Sequence, residues 1–387
     1  MIEPSDRLTV GTLGTLIPPA SNLAKNARRN EEQGYAALWW PDHYMGWFPQ
    51  SLWTPEVTLL AAFQPNPDIF FDPVVAMTAA AVATSRVKLG TAVTEALRRH
   101  PVELAQAFLT LDHLAPGRIV LGLGSGEALN LLPYGIPFDH PVGRLEEAVQ
   151  IIRLLWSTDR PVDFEGEHFR LHQAVLGLTP TAKGPPEIWL AAHGPRMLDI
   201  TGRYADGWLP EYLPLDDYRR RLQRITQARQ AAGRSAMPFT PAMYVKLLLA
   251  DSHEQAHALM AAPLLRILAL TQPAEAFARH GATHPLGEKA FGVRDFIPVR
   301  FSRDEVQALV DAVPPAVVEA GVLHGTPEEV AEQVAGYVDA GLRHIVLWNV
   351  TFFADASLIR RSYELMAILL RLLGDRRPVR SLAASNG

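Results

Sequence analysis

Residues 120–130 read Val-Leu-Gly-Leu-Gly-Ser-Gly-Glu-Ala-Leu-Asn. The short apolar run closing on glycines at 122, 124 and 126 reads as a buried strand. Its C-terminal end opens into a loop where backbone, free of Cβ atoms, can come close to a ligand. Glu127 is the first charged side chain after it. A carboxylate carried by a tight turn at a strand end suits proton transfer, because the turn fixes its position. On this stretch alone the alternative is an ordinary turn before a helix, with Glu127 in solvent. Three neighbouring motifs fail on the residues themselves. A dinucleotide fingerprint needs glycine at 127, and a phosphate loop needs Gly-Lys-Ser/Thr. A nucleophile elbow at Ser125 needs glycine two residues to either side, where Leu123 and Glu127 stand.

Working outward, strand and helix patterns alternate. Strand character runs over Arg7–Leu16, Ala37–Trp40, Val87–Val93, Ile119–Leu123, Glu187–Ala192, Gly207–Leu209, Ala242–Leu249 and His344–Trp348. Helical patterns lie between them: one capped by Ser21 and closing at Gly34, one opened by Asp72-Pro73, then Pro101–His113, Gly143–Ser157, a stretch to Tyr204, Leu215–Gly233, one opened by Thr326-Pro327-Glu328-Glu329, and Ala356–Leu373. Val162–Leu171 reads as a hairpin insertion. This spacing predicts a parallel sheet with right-handed crossovers, open or closed into an α/β barrel. Residues 263–320, rich in Pro, Gly and His, break the rhythm and read as an insertion or lid, and 374–387 as a disordered tail. The expected organisation is thus one domain over 1–373.

The composition narrows the function. At 387 residues, 48% hydrophobic, 20% charged and with a net charge of -5, the chain reads as a soluble globular protein with no electrostatic case for nucleic acid. The absence of cysteine removes disulfides, thiolate metal ligands and cysteine nucleophiles, and no metal-ligand set is assigned. The N-terminus, Met-Ile-Glu-Pro-Ser-Asp-Arg, lacks the regions of a signal peptide, and no apolar run reaches the length of a membrane span, so a cytoplasmic protein is expected. In a closed parallel barrel the strand C-termini converge on one face, which would gather Asp42, His43, Val93, Glu127, His193 and Glu211 around one mouth.

Four segments carry a family likeness: Pro41-Asp42-His43; Leu89-Gly90-Thr91-Ala92-Val93; Gly117-Arg118 leading to Gly124-Ser125-Gly126-Glu127-Ala128-Leu129-Asn130; and Ala191-Ala192-His193-Gly194-Pro195. Together they resemble the luciferase-like oxidoreductases that use the deazaflavin coenzyme F420. Within that family the chain is most similar to the phthiodiolone dimycocerosate ketoreductase branch, through 191–198, 201–206, 278–281 and 341–343. The resemblance implies a (β/α)8 TIM barrel of the luciferase-like type, with F420 at its C-terminal mouth. It implies a non-proline cis bond between Ala92 and Val93 in a bulge, with Thr91, under the cofactor ring. It implies contacts from Asp42 and Asn130 to the ring or its side chain, and from Ala192, His193 and Gly194 to the cofactor phosphate, consistent with a glycine before a helix N-terminus. His43 and Glu127 match the family's two proton-handling positions, and Trp47 a tryptophan near the ring.

Departures from the family direct the substrate. The sugar-phosphate dehydrogenases of the superfamily place threonine and lysine where this chain has Pro210-Glu211, so an acid stands where an anion would sit. Trp39, Trp40, Trp47 and Trp53, with Tyr44, Phe48 and Phe63, make the first long loop and the strand before it aromatic. Trp47, Trp53 and Glu211 are therefore expected to face the substrate. The expected activity is hydride transfer between F420 and an apolar, lipid-like ketone or secondary alcohol, in a homodimer. The alternatives are an FMN-dependent luciferase-like monooxygenase and a cofactor-binding protein without turnover.

Overall fold

The computed structural model describes residues 7–374. Of the tail expected over 374–387, all but Gly374, the last residue of a helix, lies outside the described residues. Eight parallel strands close on themselves: β1 (Thr9–Leu13), β2 (Ala37–Trp40), β3 (Lys88–Thr91), β4 (Ile119–Gly124), β5 (Glu187–Leu190), β6 (Gly207–Trp208), β7 (Thr240–Leu249) and β8 (His344–Asn349). β8 pairs back onto β1 from Thr9 opposite His344 to Thr12 opposite Leu347. Eight helices wrap them: α1 (Ser21–Glu32), α2 (Pro73–Ala83), α3 (Pro101–Leu114), α4 (Pro141–Ser157), α5 (Pro195–Tyr204), α6 (Leu215–Ala231), α7 (Pro327–Asp339) and α8 (Ile359–Gly374). The fold is a (β/α)8 barrel.

Side-chain alternation along each strand divides the interior into two layers. On β2, Ala37 and Trp39 point into the barrel while Leu38 and Trp40 pack under the helices. On β4, Val120 points in, and Ile119, Leu121 and Leu123 point out. On β7, Ala242 and Tyr244 point in, and Met243, Val245 and Leu247 point out. The barrel centre is filled by two indoles, Trp39 and Trp189, with ring centroids 5.1 Å apart. Glycines on other strands make room for them. A Cβ on Gly90 would lie 2.5 Å from the Trp39 ring, and one on Gly207 would lie 2.6 Å from the Trp189 ring.

Local details depart from expectation in two places. Ser21 is the first helical residue of α1 rather than its cap, because turn bonds from Asn22 N to Pro19 O and Leu23 N to Ala20 O already occupy the first amides. The run Val87–Val93 is not one strand: β3 ends at Thr91, the Ala92–Val93 peptide is cis, and pairing with β4 resumes at Thr94–Glu95. Residues 263–320 are largely helical, with Pro263–Ala269, Ala274–Ala278, Gly292–Asp295, Arg303–Asp311 and Pro315–Glu319. Their apolar faces meet Phe48, Leu52 and Trp53 of the β2–α2 loop in a second core beside the barrel mouth. The predicted hairpin forms, from Val162–Glu165 and Arg170–Ala174.

Candidate active site

The glycines of β4 serve the bulge beside them. A Cβ on Gly122 would stand 1.9 Å from the Thr91 carbonyl oxygen and one on Gly124 2.7 Å from Val93 Cγ2, so these positions are empty of side chain because the 91–93 segment occupies the space. Gly126, at φ 88°, takes the left-handed turn that delivers Glu127. The end of β4, Gly124 to Gly126, does open onto the cavity as the loop reading expects, while the missing Cβ atoms of Gly122 and Gly124 make room for the protein's own 91–93 segment.

A cavity of about 1370 Å³ opens at the C-terminal ends of the strands and continues outward between α1 and α8. Asp42, His43, Val93, Glu127, His193 and Glu211 all line it, as do Ala92, Asn130, Trp47 and Trp53. Thr91, Ala192 and Gly194 do not. Thr91 is buried, its hydroxyl donating to the Gly122 carbonyl at 2.8 Å, and so braces β3 against β4. Ala192 is buried with its carbonyl accepting the Trp208 indole N–H at 2.9 Å. Gly194 is exposed at the start of α5.

His43 and Glu127 come together: Nε2 of the histidine lies 3.4 Å from Glu127 Oε2. His43 Nδ1 lies 2.9 Å from the Met45 carbonyl, which can only accept, and 3.2 Å from the Asn130 amide nitrogen, which can only donate; the shorter contact favours a proton on Nδ1, and Nε2 is the atom turned to the carboxylate. Asn130 is the bracket between them. Its carbonyl accepts the Tyr44 and Met45 amides at 2.7 and 3.2 Å, and its amide nitrogen donates to Glu127 Oε2 at 3.2 Å. Phe70 and Trp47 flank the imidazole, with centroids 5.4 and 6.3 Å away.

Asp42 is committed to the protein. Arg99 Nε and Thr94 Oγ1 reach its Oδ2 at 2.8 and 2.6 Å, and Arg98 lies 3.3 Å from Oδ1. Burial opposes its charge, but these partners outweigh burial and hold its pKa below the ordinary carboxylate value. Trp53 is largely a core residue: it stacks on Phe48 at 5.5 Å and its indole N–H donates to the Gln64 carbonyl at 2.6 Å. Trp47 is the more open of the two.

Lys246 is a site residue that the sequence reading did not single out. It sits two residues beyond Tyr244 on the inward face of β7, is buried, and pairs with Glu211. Burial draws its pKa down to about 8, partly offset by the Glu127 charge. The acid at 211 therefore arrives with its own cation. The signal was present as a lone lysine in an otherwise apolar strand, but β7 is apolar on both faces, so periodicity could not tell which way it pointed.

His193 lies near Arg221, whose guanidinium is 3.2 Å from Nδ1, while Nε2 accepts the Glu211 amide at 3.3 Å. Burial first, then Arg221, push its pKa down to about 4, so it is neutral. The start of α5 beside an arginine is a setting suited to an anion.

A closed (β/α)8 barrel with a His–Glu pair at its mouth has the architecture of a TIM-barrel enzyme. The chain belongs to the luciferase-like monooxygenase family, whose profile matches residues 3–344. It is 38% identical over 348 residues to the phthiodiolone/phenolphthiodiolone dimycocerosates ketoreductase of Mycobacterium tuberculosis, covering 89% of this chain and 90% of that one. It is 34% identical over 338 residues to an F420-dependent glucose-6-phosphate dehydrogenase of Kineococcus radiotolerans, covering 84% and 86%. Among solved structures, an F420-dependent secondary alcohol dehydrogenase in complex with an F420-acetone adduct superposes with a TM-score of 0.72 at 21% identity, covering 95% of this chain and all 100% of that one. At that identity the likeness speaks for the fold. No helix among the described residues is long and apolar enough to cross a membrane.

Proposed function

We propose that this protein is a coenzyme F420-dependent oxidoreductase that interconverts a ketone and its secondary alcohol on an apolar, lipid-like substrate. The observation that carries the reading is the His43–Glu127 contact of 3.4 Å, held by Asn130 at the mouth of a cavity with aromatic walls. When bound, F420 supplies the carbon centre that gives or accepts hydride. The protein's part is the proton. His43 Nε2 and Glu127 Oε2 share one proton position, which receives the hydroxyl proton of an alcohol or returns it to the oxygen of a ketone. Phe70 and Trp47 wall the imidazole side of that position, and Asn130 keeps the two side chains in register.

The residues fit the coenzyme by the chemistry of their donors. Flat apolar contact for a ring is available from Val93 and Trp47. His193, which lines the cavity, stands between Arg221 and the start of α5, a setting suited to a phosphate. For the substrate, Trp47, Phe48, Phe70, Trp348 and Phe353 line the same cavity. Lys246, the cation set beside Glu211, is already paired with it, which disfavours a sugar phosphate there.

The test is a fluorescence titration with F420 and with FMN, followed by turnover on secondary alcohols and ketones of increasing chain length and on glucose 6-phosphate. We expect F420 to bind at micromolar or lower concentration, FMN far more weakly, and kcat/KM to rise with chain length. Tighter binding of FMN, or turnover confined to the sugar phosphate, would overturn the reading.

A further inference from the structure

Away from the cavity, three histidines and a glutamate converge where the segment between β7 and α7 begins and ends. We propose that His253, His257, His324 and Glu319 form a binding site for a divalent transition-metal cation of the zinc type. None of the four lines the cavity, and the inference does not depend on the proposed activity.

His253 and His257 stand four residues apart on the helix His253–Leu259, so both rings project from one face. Their Nε2 atoms are 3.0 Å apart. Two imidazole nitrogens this close either share a proton or turn their lone pairs to a common ion. Two nitrogen ligands on a tetrahedral zinc, at bonds of about 2.0–2.1 Å, stand about 3.3–3.4 Å apart, near the separation seen. His324 comes from the strand Leu323–Gly325, with its ring 5.3 Å from that of His257 and 6.0 Å from that of His253. Glu319 closes the helix Pro315–Glu319 and places Oε1 3.8 Å from His324 Nε2. The ligand atoms of His257, Glu319 and His324 all lie within 4.8 Å of one another.

The outer contacts match those of ligating histidines, whose second nitrogen faces a carboxylate or a backbone carbonyl. His253 Nδ1 is 3.5 Å from Glu329 Oε1, and His324 Nδ1 is 3.4 Å from the Val322 carbonyl. Both histidines thereby keep Nε2 for the cluster. Glu329 uses its other oxygen to cap α7, accepting the Thr326 amide at 2.9 Å, so its position is set independently of the histidines.

The stretch His253-Glu254-Gln255-Ala256-His257 has the His-Glu-x-x-His form of zinc hydrolases, in which an open coordination position holds water. Here His257, His324 and Glu319 supply three ligand atoms within mutual reach, and His253, with Nε2 3.0 Å from that of His257, stands where it can add the fourth of a closed tetrahedral site. An ion at this point would join the first helix of the segment to its last helix and to the strand after it. Between those anchors the chain carries Thr271, Phe291 and Val293 to the cavity wall. The ion's role is to hold that wall in place.

The experiment uses the full chain, stripped with a chelator, then titrated with Zn²⁺ by calorimetry and with Co²⁺ by visible absorption. We expect one equivalent bound with Kd of about 1 µM or lower, tetrahedral Co²⁺ bands, and a higher melting temperature with Zn²⁺. His257→Gln and His324→Gln, close in volume to the native side chains, should each weaken binding at least about 100-fold. Glu329→Gln, which keeps the helix cap, should weaken it about 10-fold. The surface group His140, Glu167 and His168 is the other place where such ligands gather among the described residues, so His168→Gln should change nothing. Absence of saturable binding in the micromolar range, binding that survives both His257→Gln and His324→Gln, or binding lost in His168→Gln would each overturn the proposal.

Discussion

Asn130 spends its carbonyl on two loop amides and its N–H on Glu127, and this holds the imidazole of His43 against the carboxylate. Glu127→Gln keeps the shape and the Asn130 contact but cannot take a proton. Turnover should fall about 100-fold or more with F420 affinity unchanged, measured by steady-state kinetics beside a fluorescence titration. If Glu127→Gln keeps near-normal turnover while His43→Asn loses it, the histidine alone handles the proton. Lys246 makes a second, separable prediction. Its pKa of about 8 means that the ammonium is charged below that pH and lost above it, leaving Glu211 without its cation. The kcat/KM profile should fall as pH rises through about 8, and Lys246→Met should remove that limb. A limb unchanged in the variant would assign it to another group.

Loops and strands set what these side chains can reach. The β2–α2 loop brings both Trp47 and Trp53 to the cavity wall, and where it folds onto the helical segment 263–320 Trp53 is the more deeply buried of the two, packed against Phe48. Trp47→Ala should therefore raise KM for an apolar ketone, an effect worth about 1.5–3 kcal/mol, and leave stability nearly intact. Trp53→Ala should instead destabilise by about 3–5 kcal/mol in urea unfolding. Equal effects of the two on KM alone would contradict this division. On β3, Gly90 faces the Trp39 ring with no space for a methyl group. Gly90→Ala should cost about 1–3 kcal/mol, read from the same unfolding curves, because the indole must leave its packed position.

Across the whole barrel, burial of neutral histidines ties stability to pH. His344 accepts the Trp39 indole N–H at 3.1 Å inside the barrel, and burial with the nearby Lys88 charge pushes its pKa down to about 3. His193 is pushed down to about 4. Both folded values lie below the ordinary histidine value of about 6.5, so between those limits the unfolded chain binds more protons than the folded one. Stability should be fully present above about pH 6.5 and decline as pH falls toward 4, each histidine adding up to about 1.4 kcal/mol per pH unit to the slope. Urea midpoints measured across that range should show the decline, with a shallower slope in His344→Gln. A flat profile in the wild type would show that these histidines titrate freely.

Alternation of apolar strands with capped helices was readable residue by residue, and so was the barrel it implies: Ala37–Trp40 lies where the pattern placed it, and Asp72-Pro73 and Thr326–Glu329 cap the helices they were expected to cap. The mouth residues could be named from the ends of those strands, because in a closed parallel barrel every strand end faces the same side. What the pattern could not contain was which neighbours compete for a side chain. Asp42 meets Arg98, Arg99 and Thr94, Glu211 meets Lys246, and Trp53 meets Phe48 only after the chain has closed. The glycines of β4 show the same limit, since a missing Cβ reads identically whether a ligand or Thr91 fills the space. His253 and His257 are four residues apart in sequence, but Glu319 and His324 reach them across more than 60 residues of intervening chain. Local pattern sets which face a residue occupies; the partners on that face come from distant segments, and only packing brings those together.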